Sequence, residues 1–243
     1  MRASAILTEL HGGRKQADAL EGRADGKGNR NQIEDQRCAG SPSRPEAHGS
    51  EAGRQWDGAS ARGNVIFDTP EGGLAKHGQL LRIRTETPQV RAKAKAASSK
   101  QRIMVTFKQP PTRPDSNNAR HGRYKVRDEI ELEVGEAGNL TKIFEGLGMS
   151  GWFRYEKYRT TFRLAASKAW ARGLLIELDE TPIGTFVELE GPAAAIDRAA
   201  TELSFSKRDY VLKSYLVLYM EECRRKGEQP RNMVFPEGKK PAK

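Results

Sequence analysis

Arg127-Asp128-Glu129-Ile130-Glu131-Leu132-Glu133-Val134 is the stretch that decides how this chain folds. Side chains of an extended segment alternate between its two sides. Arg127, Glu129, Glu131 and Glu133 therefore share one side, and Ile130, Leu132 and Val134 take the other. Residues two apart on one side are about 6–7 Å apart. Carboxylates stacked at that spacing repel one another unless positive charge stands among them.

Segments on either side repeat the arrangement with either sign. Arg82 and Arg84 oppose Leu81 and Ile83, and Thr106 and Lys108 oppose Val105 and Phe107. Lys157, Arg159 and Arg163 align, as do Glu177 and Asp179, and Glu188 and Glu190; the last two pairs face away from Ile176, Leu178, Val187 and Leu189. An ordinary sheet with one wet face explains the alternation. It does not explain the choice of like charges at i and i+2, because an exposed face normally mixes Thr, Ser, Gln and Lys. If the strands close with their charged sides inward, they surround a wet channel with cationic and acidic walls. The cations suit phosphate oxygens, arginine often bidentately. The paired glutamates suit a hard divalent ion, Mg²⁺ or Mn²⁺.

Strands are predicted over Asn64–Thr69, Gln79–Glu86, Gln101–Gln109, Arg123–Val134, Trp152–Leu164, Leu174–Glu180 and Thr185–Glu190. Helices are predicted over Ala137–Leu147, from Pro192 to about Leu203, and over Asp209–Lys226; Pro192 suits a first helical position, where a missing N–H costs nothing. About seven antiparallel strands with a few helices indicate an α+β or barrel-like domain. Residues 1–62 are rich in Gly, Arg, Ala, Ser and Asp and show no sustained period. The expectation there is disorder, with a frayed helix around Arg14–Gly22, or a non-native N-terminal segment arising from a misplaced start. Residues 63–224 form the expected domain, and 225–243 a basic tail.

Composition narrows the function classes. The 243 residues carry a net charge of +10 and are 36% hydrophobic, with mean hydropathy −0.74 and pI near 9.7. A polyanionic partner fits that balance. Much of the excess, however, lies at Arg91–Arg102 and Arg224–Lys243, where solvated loop charge explains it equally well. Cys38 and Cys223 have no partners at metal or disulfide spacing, and His11, His48, His77 and His121 are scattered, so a cytoplasmic protein is expected. No apolar run reaches membrane length. Nucleic acid is disfavoured because Phe107 and Phe162 lie opposite the cations and not among them.

In this order, Phe67-Asp68-Thr69-Pro70, Leu81-Arg82-Ile83-Arg84, Thr106-Phe107-Lys108, Arg127-Asp128-Glu129-Ile130-Glu131, Lys157-Tyr158-Arg159, Leu178-Asp179-Glu180, Phe186-Val187-Glu188-Leu189-Glu190 and Lys213-Ser214-Tyr215 resemble the CYTH superfamily, the triphosphate tunnel metalloenzymes. The first two pieces look closest to its class IV adenylate cyclase branch. The resemblance implies a closed or nearly closed antiparallel β-barrel, a triphosphate tunnel with flanking helices. It implies an enzyme, adenylate cyclase-like or a triphosphatase, that takes ATP, thiamine triphosphate or inorganic triphosphate with Mg²⁺ or Mn²⁺. A non-catalytic binder of polyphosphate or phosphorylated ligands is the alternative. By position, Arg82, Arg84, Lys108, Arg127, Lys157 and Arg159 would cradle phosphates. Glu188 and Glu190 would bind metal, and Glu129, Glu131 and Asp179 would bind metal or orient the basic residues. Arg163 and Glu177 are further lining candidates, Asp68 is expected to fix the turn before Pro70, and Tyr215 to pack its helix on the barrel. The family's opening strand carries Glu-x-Glu-x-Lys. Ala5-Ile6-Leu7-Thr8-Glu9-Leu10 offers only Glu9, so the first strand is expected to be missing and activity impaired.

Overall fold

A computed structural model describes residues 2–8, 54–89, 100–112 and 124–237. The strands are β1 (Arg2–Thr8), β2 (Arg54–Asp68), β3 (Leu80–Pro88), β4 (Arg102–Gln109), β5 (Lys125–Val134), β6 (Ser150–Leu164), β7 (Leu175–Thr181), β8 (Gly184–Gly191) and the short β9 (Tyr210–Val211). The helices are α1 (Gly73–Lys76), α2 (Ala137–Gly146), α3 (Ala193–Glu202) and α4 (Tyr215–Lys226). The order β5-β4-β3-β2-β6-β7-β8-β1 returns on itself through antiparallel pairing of β1 with β5, which closes an eight-stranded barrel. Closure leaves no open sheet edge. Among the described residues no helix is long and apolar enough to cross a membrane.

Two expectations are corrected here. A first strand is present: Arg2–Thr8 pairs along β8 on one side and with β5 and β9 on the other. The second stave is also not a short strand from Asn64. It begins at Arg54 and runs for 15 residues, paired to β6 over almost its whole length. Ala, Ser and Gly have weak strand preference, and strand pairing on both sides supplies what propensity does not. The barrel thus draws on residues 2–8 and 54–62, inside the segment expected to lack structure. The helix expected near Arg14–Gly22 and the loop from residue 91 to 99 lie outside the described residues.

Directly paired residues point to the same side of a sheet, so the register sorts every side chain as inner or outer. Outside, Leu7, Ile176, Val187 and Leu189 pack against Ala195, Ile196, Ala199 and Ala200 of α3. Phe67 and Ile83 pack against Phe144 of α2, with the Phe67 and Phe144 rings edge to face at 5.1 Å. Ile130 and Leu132 of β5 also face outward but stay bare, each 59% exposed. Inside, one end of the barrel is filled by an apolar plug. Ile6, Ile66, Phe153, Tyr155 and Phe186 cluster with Tyr215 of α4 and Met233.

The last helix starts later than expected. Asp209 closes a capping box with Ser206, Tyr210 and Val211 pair with Leu7 and Ile6, and Ser214 then caps α4. Part of the expected tail is also docked. The Met233 N–H donates to the Arg154 carbonyl, and the Glu156 N–H donates to the Met233 carbonyl. Asp68 fixes its turn, accepting N–H bonds from Thr69, Leu74 and Ala75 at 2.7–3.0 Å.

Candidate active site

Inward alternation on β2 to β8 lines the barrel with charge. Asn64 lies between Arg84 and Tyr155 in the ladder, and the Arg82 guanidinium donates to the Tyr155 hydroxyl at 2.9 Å and to Thr106 Oγ1 at 3.2 Å. The Nε–H groups of Arg82 and Arg84 are buried and have no acceptor among the described residues. Both arginines therefore keep donor capacity for a ligand. Arg84 pairs with Glu86 at 3.0 Å, and Lys108 pairs with Glu129 at 2.8 Å. Glu131 accepts from Thr106 at 2.9 Å and stands 3.8 Å from both Arg82 and Arg84. Arg127 donates to the Gly78 carbonyl.

Asp179 organises the opposite wall. It is fully buried, takes Lys157 Nζ at 2.7 Å, and grips Arg159 through two bonds of 2.6 Å each. The Tyr215 hydroxyl donates to it as well, at 2.6 Å. Burial alone would push the Asp179 carboxyl up, but Arg159 and Lys157 outweigh it and hold the group far below the usual carboxylate range. The sequence reading gave Asp179 a metal-binding or orienting part. In the structure its oxygens are engaged by two cations and a phenol.

Three carboxylates meet nearby. Glu177, Glu188 and Glu190 each offer an oxygen, all within 4.8 Å of one another. Arg159 pairs with Glu177 and with Glu188, the latter at 2.5 Å. The Glu190 carboxylate has no hydrogen bond or ion pair among the described residues. Burial, then repulsion from Glu188 and Glu177, pushes its carboxyl up to about 7. A buried free carboxylate beside two others is costly unless a proton or cation joins it. Oxygen donors of this kind fit Mg²⁺ or Mn²⁺. Glu129 and Glu131 sit apart, in their own pairs with cations.

Arg62, Arg84, Glu86, Arg102, Lys108, Glu129, Glu131, Arg159, Glu177 and Glu190 line a cavity of about 210 Å³, with only Met104 and Leu175 apolar among its lining. Its edge carries the exposed pair Arg102–Glu133 at 2.9 Å. Sequence reasoning placed no weight on Arg62 and Glu86, which pair at 3.0 Å, or on Lys125. The signal was present for two of them: Glu86 lies two residues after Arg84, and Lys125 two before Arg127, both on the charged side of their strands. Opposite the acids, β1 contributes Ser4 across from Glu190 and Ile6 across from Glu188, so it adds no carboxylate there.

The fold recurs in solved structures. The PH1819 protein of Pyrococcus horikoshii superposes with a TM-score of 0.60 at 17% identity, covering 91% of this chain and 99% of its own. A conserved hypothetical protein of Pyrococcus furiosus gives 0.55 at 18% identity, covering 90% and 99%. A Vibrio parahaemolyticus protein provisionally named an adenylate cyclase gives 0.55 at 14% identity, covering 89% and 96%. No curated protein matches the chain significantly by sequence. The sequence profile of the CYTH domain matches residues 56–215, well over half of the chain, and the protein belongs to the CYTH family.

Proposed function

We propose that this protein is a divalent-metal-dependent enzyme that processes a triphosphate inside the barrel. The observation that carries the reading is the free Glu190 carboxylate, grouped with Glu177 and Glu188 and facing a wall of arginine and lysine. A metal–phosphate complex supplies a cation to the acids and anionic oxygens to the bases at once. Arg82, Arg84, Lys108, Arg127, Lys157 and Arg159 would hold the phosphate chain, and Glu177, Glu188 and Glu190 the metal. Asp179 fixes Lys157 and Arg159 in place before the substrate arrives, so little reorganisation is needed on binding. A bound Mg²⁺ or Mn²⁺ would offset charge on the phosphate oxygens. The apolar plug closes one end of the channel, which limits water at that side.

Hydrolysis is favoured over cyclisation by the lining of the cavity. Among the described residues that line it, none is an aromatic ring on which a nucleotide base could stack. The test is incubation with inorganic triphosphate, thiamine triphosphate and ATP, with Mg²⁺, Mn²⁺ or a chelator, reading inorganic phosphate and cyclic AMP separately. Metal-dependent phosphate release supports the proposal; cyclic AMP as the main product overturns the choice of hydrolysis.

One observation favours a second reading, a non-catalytic binder of polyphosphate. Ser4 and Ile6 stand opposite the acids, and Arg159 already occupies Glu177 and Glu188. Binding that survives the chelator, with no product formed, would select it.

A further inference from the structure

Lys125 opens β5 and falls on the same side as Arg127, Glu129 and Glu131, two residues before the first of them. It pairs across the β1–β5 seam with Ser4, and Ser4 in turn pairs with Glu190, so the ladder sets Lys125 on the inner wall. The inner charged groups discussed above have partners, with two exceptions. Glu190 is one, and Lys125 is the other: its ammonium makes no hydrogen bond or ion pair among the described residues. Its surroundings are adverse to a lone ammonium. Burial first, then Arg127, depress its pKa; Glu188 opposes them, Lys108 adds to the depression, and the net direction is down. A half-buried cation among other cations lowers stability unless an anion joins it. The long lysine stem allows the ammonium to meet such an anion as a point charge.

We propose that Lys125 is a further phosphate-binding residue of this tunnel, contributing an ammonium donor from the β5 wall next to Arg127 and Lys108. This rests on the triphosphate reading above, but on its binding part only. The unpaired ammonium and the unpaired Glu190 carboxylate are then the two groups whose counter-charges arrive together, as phosphate oxygen and metal.

The experiment measures inorganic triphosphate binding calorimetrically, with and without Mg²⁺, for wild type, Lys125→Met and Lys125→Arg, alongside the melting temperature of each protein without ligand. A lost charge-assisted hydrogen bond weakens binding roughly tenfold or more. Lys125→Met is expected to bind that much more weakly while melting no lower than wild type, and Lys125→Arg to recover most of the affinity. Equal binding by Lys125→Met and wild type overturns the proposal. A lower melting point in Lys125→Met with a matching affinity loss also overturns it, since the residue then acts on the fold. Wild type that binds without turnover, with the affinity loss in Lys125→Met as expected, upholds this proposal while sinking the enzymatic one. Wild type that does not bind at all sinks both.

Discussion

Tyr215 donates its hydroxyl hydrogen to Asp179 at 2.6 Å while its ring meets Phe186 edge to face and lies 4.9 Å beneath the Lys157 ammonium. One residue of the closing helix thus touches the plug, the buried acid and a tunnel cation together. Burial and the Asp179 charge hold the phenol protonated, well above its ordinary range.

Tyr215→Phe keeps the ring contacts and removes one hydrogen bond to a charged acceptor, worth about 1.5–3 kcal/mol. Denaturant unfolding is expected to show a loss of that order. Asp179 keeps both cations, so inorganic triphosphate affinity should fall only a few-fold. An affinity loss of a hundredfold with unchanged stability would assign Tyr215 a direct part in binding.

Asp179→Asn leaves Lys157 and Arg159 buried beside a neutral group. Removing one partner of a buried charged set costs about 3–5 kcal/mol. Because the folded-state value of Asp179 is depressed, its contribution is present above the ordinary carboxylate value of 3.8 and is lost as pH falls through the lower folded value. Acid unfolding of wild type should therefore be partly absent in the variant. Coincident acid-unfolding curves would show that Asp179 does not carry it.

The legible part of this fold is the part with a charged period of two. β3 to β8 announce themselves because Arg82 and Arg84, Glu129 and Glu131, or Glu188 and Glu190 alternate with apolar residues on the outer face. β1 was not legible, since Ala3, Ser4, Ala5, Ile6 and Leu7 carry no alternating charge; its strand exists because β8 and β5 present edges for it to fill. Gly58, Ala59, Ala61 and Gly63 in β2 hide a strand for the same reason. Within the site, the inward-facing cations were readable from spacing. The sharing of Asp179 between Lys157, Arg159 and Tyr215 was not, because it joins the neighbouring strands β6 and β7 to α4, which are far apart in sequence.

Glu190 should make metal-free stability depend on pH. Its folded value of about 7 exceeds its ordinary 4.5, so the folded protein binds an extra proton between them. Stability from this group is full below about 4.5 and is lost as pH rises through about 7. Melting temperatures in a chelator should fall across that window, and Mg²⁺ should flatten the decline by taking the proton's place. Glu190→Gln is expected to flatten it without metal. A decline that persists in Glu190→Gln would place its source elsewhere.

Ser4 faces Glu190 across the β1–β8 ladder, which makes it the position where one substitution can complete the acidic group. Ser4→Glu sets a fourth carboxylate beside Glu177, Glu188 and Glu190. Like charges directly opposite each other in a sheet destabilise by about 0.2–1 kcal/mol, so the metal-free variant should melt below wild type. A further oxygen ligand on a hard divalent ion strengthens its binding, so Mn²⁺ should bind more tightly and raise the melting point by more than it does in wild type. If the acids gather around a metal, these two changes have opposite signs. A variant that is less stable with and without Mn²⁺, and binds it no more tightly, would show that the ion does not sit between β1 and β8.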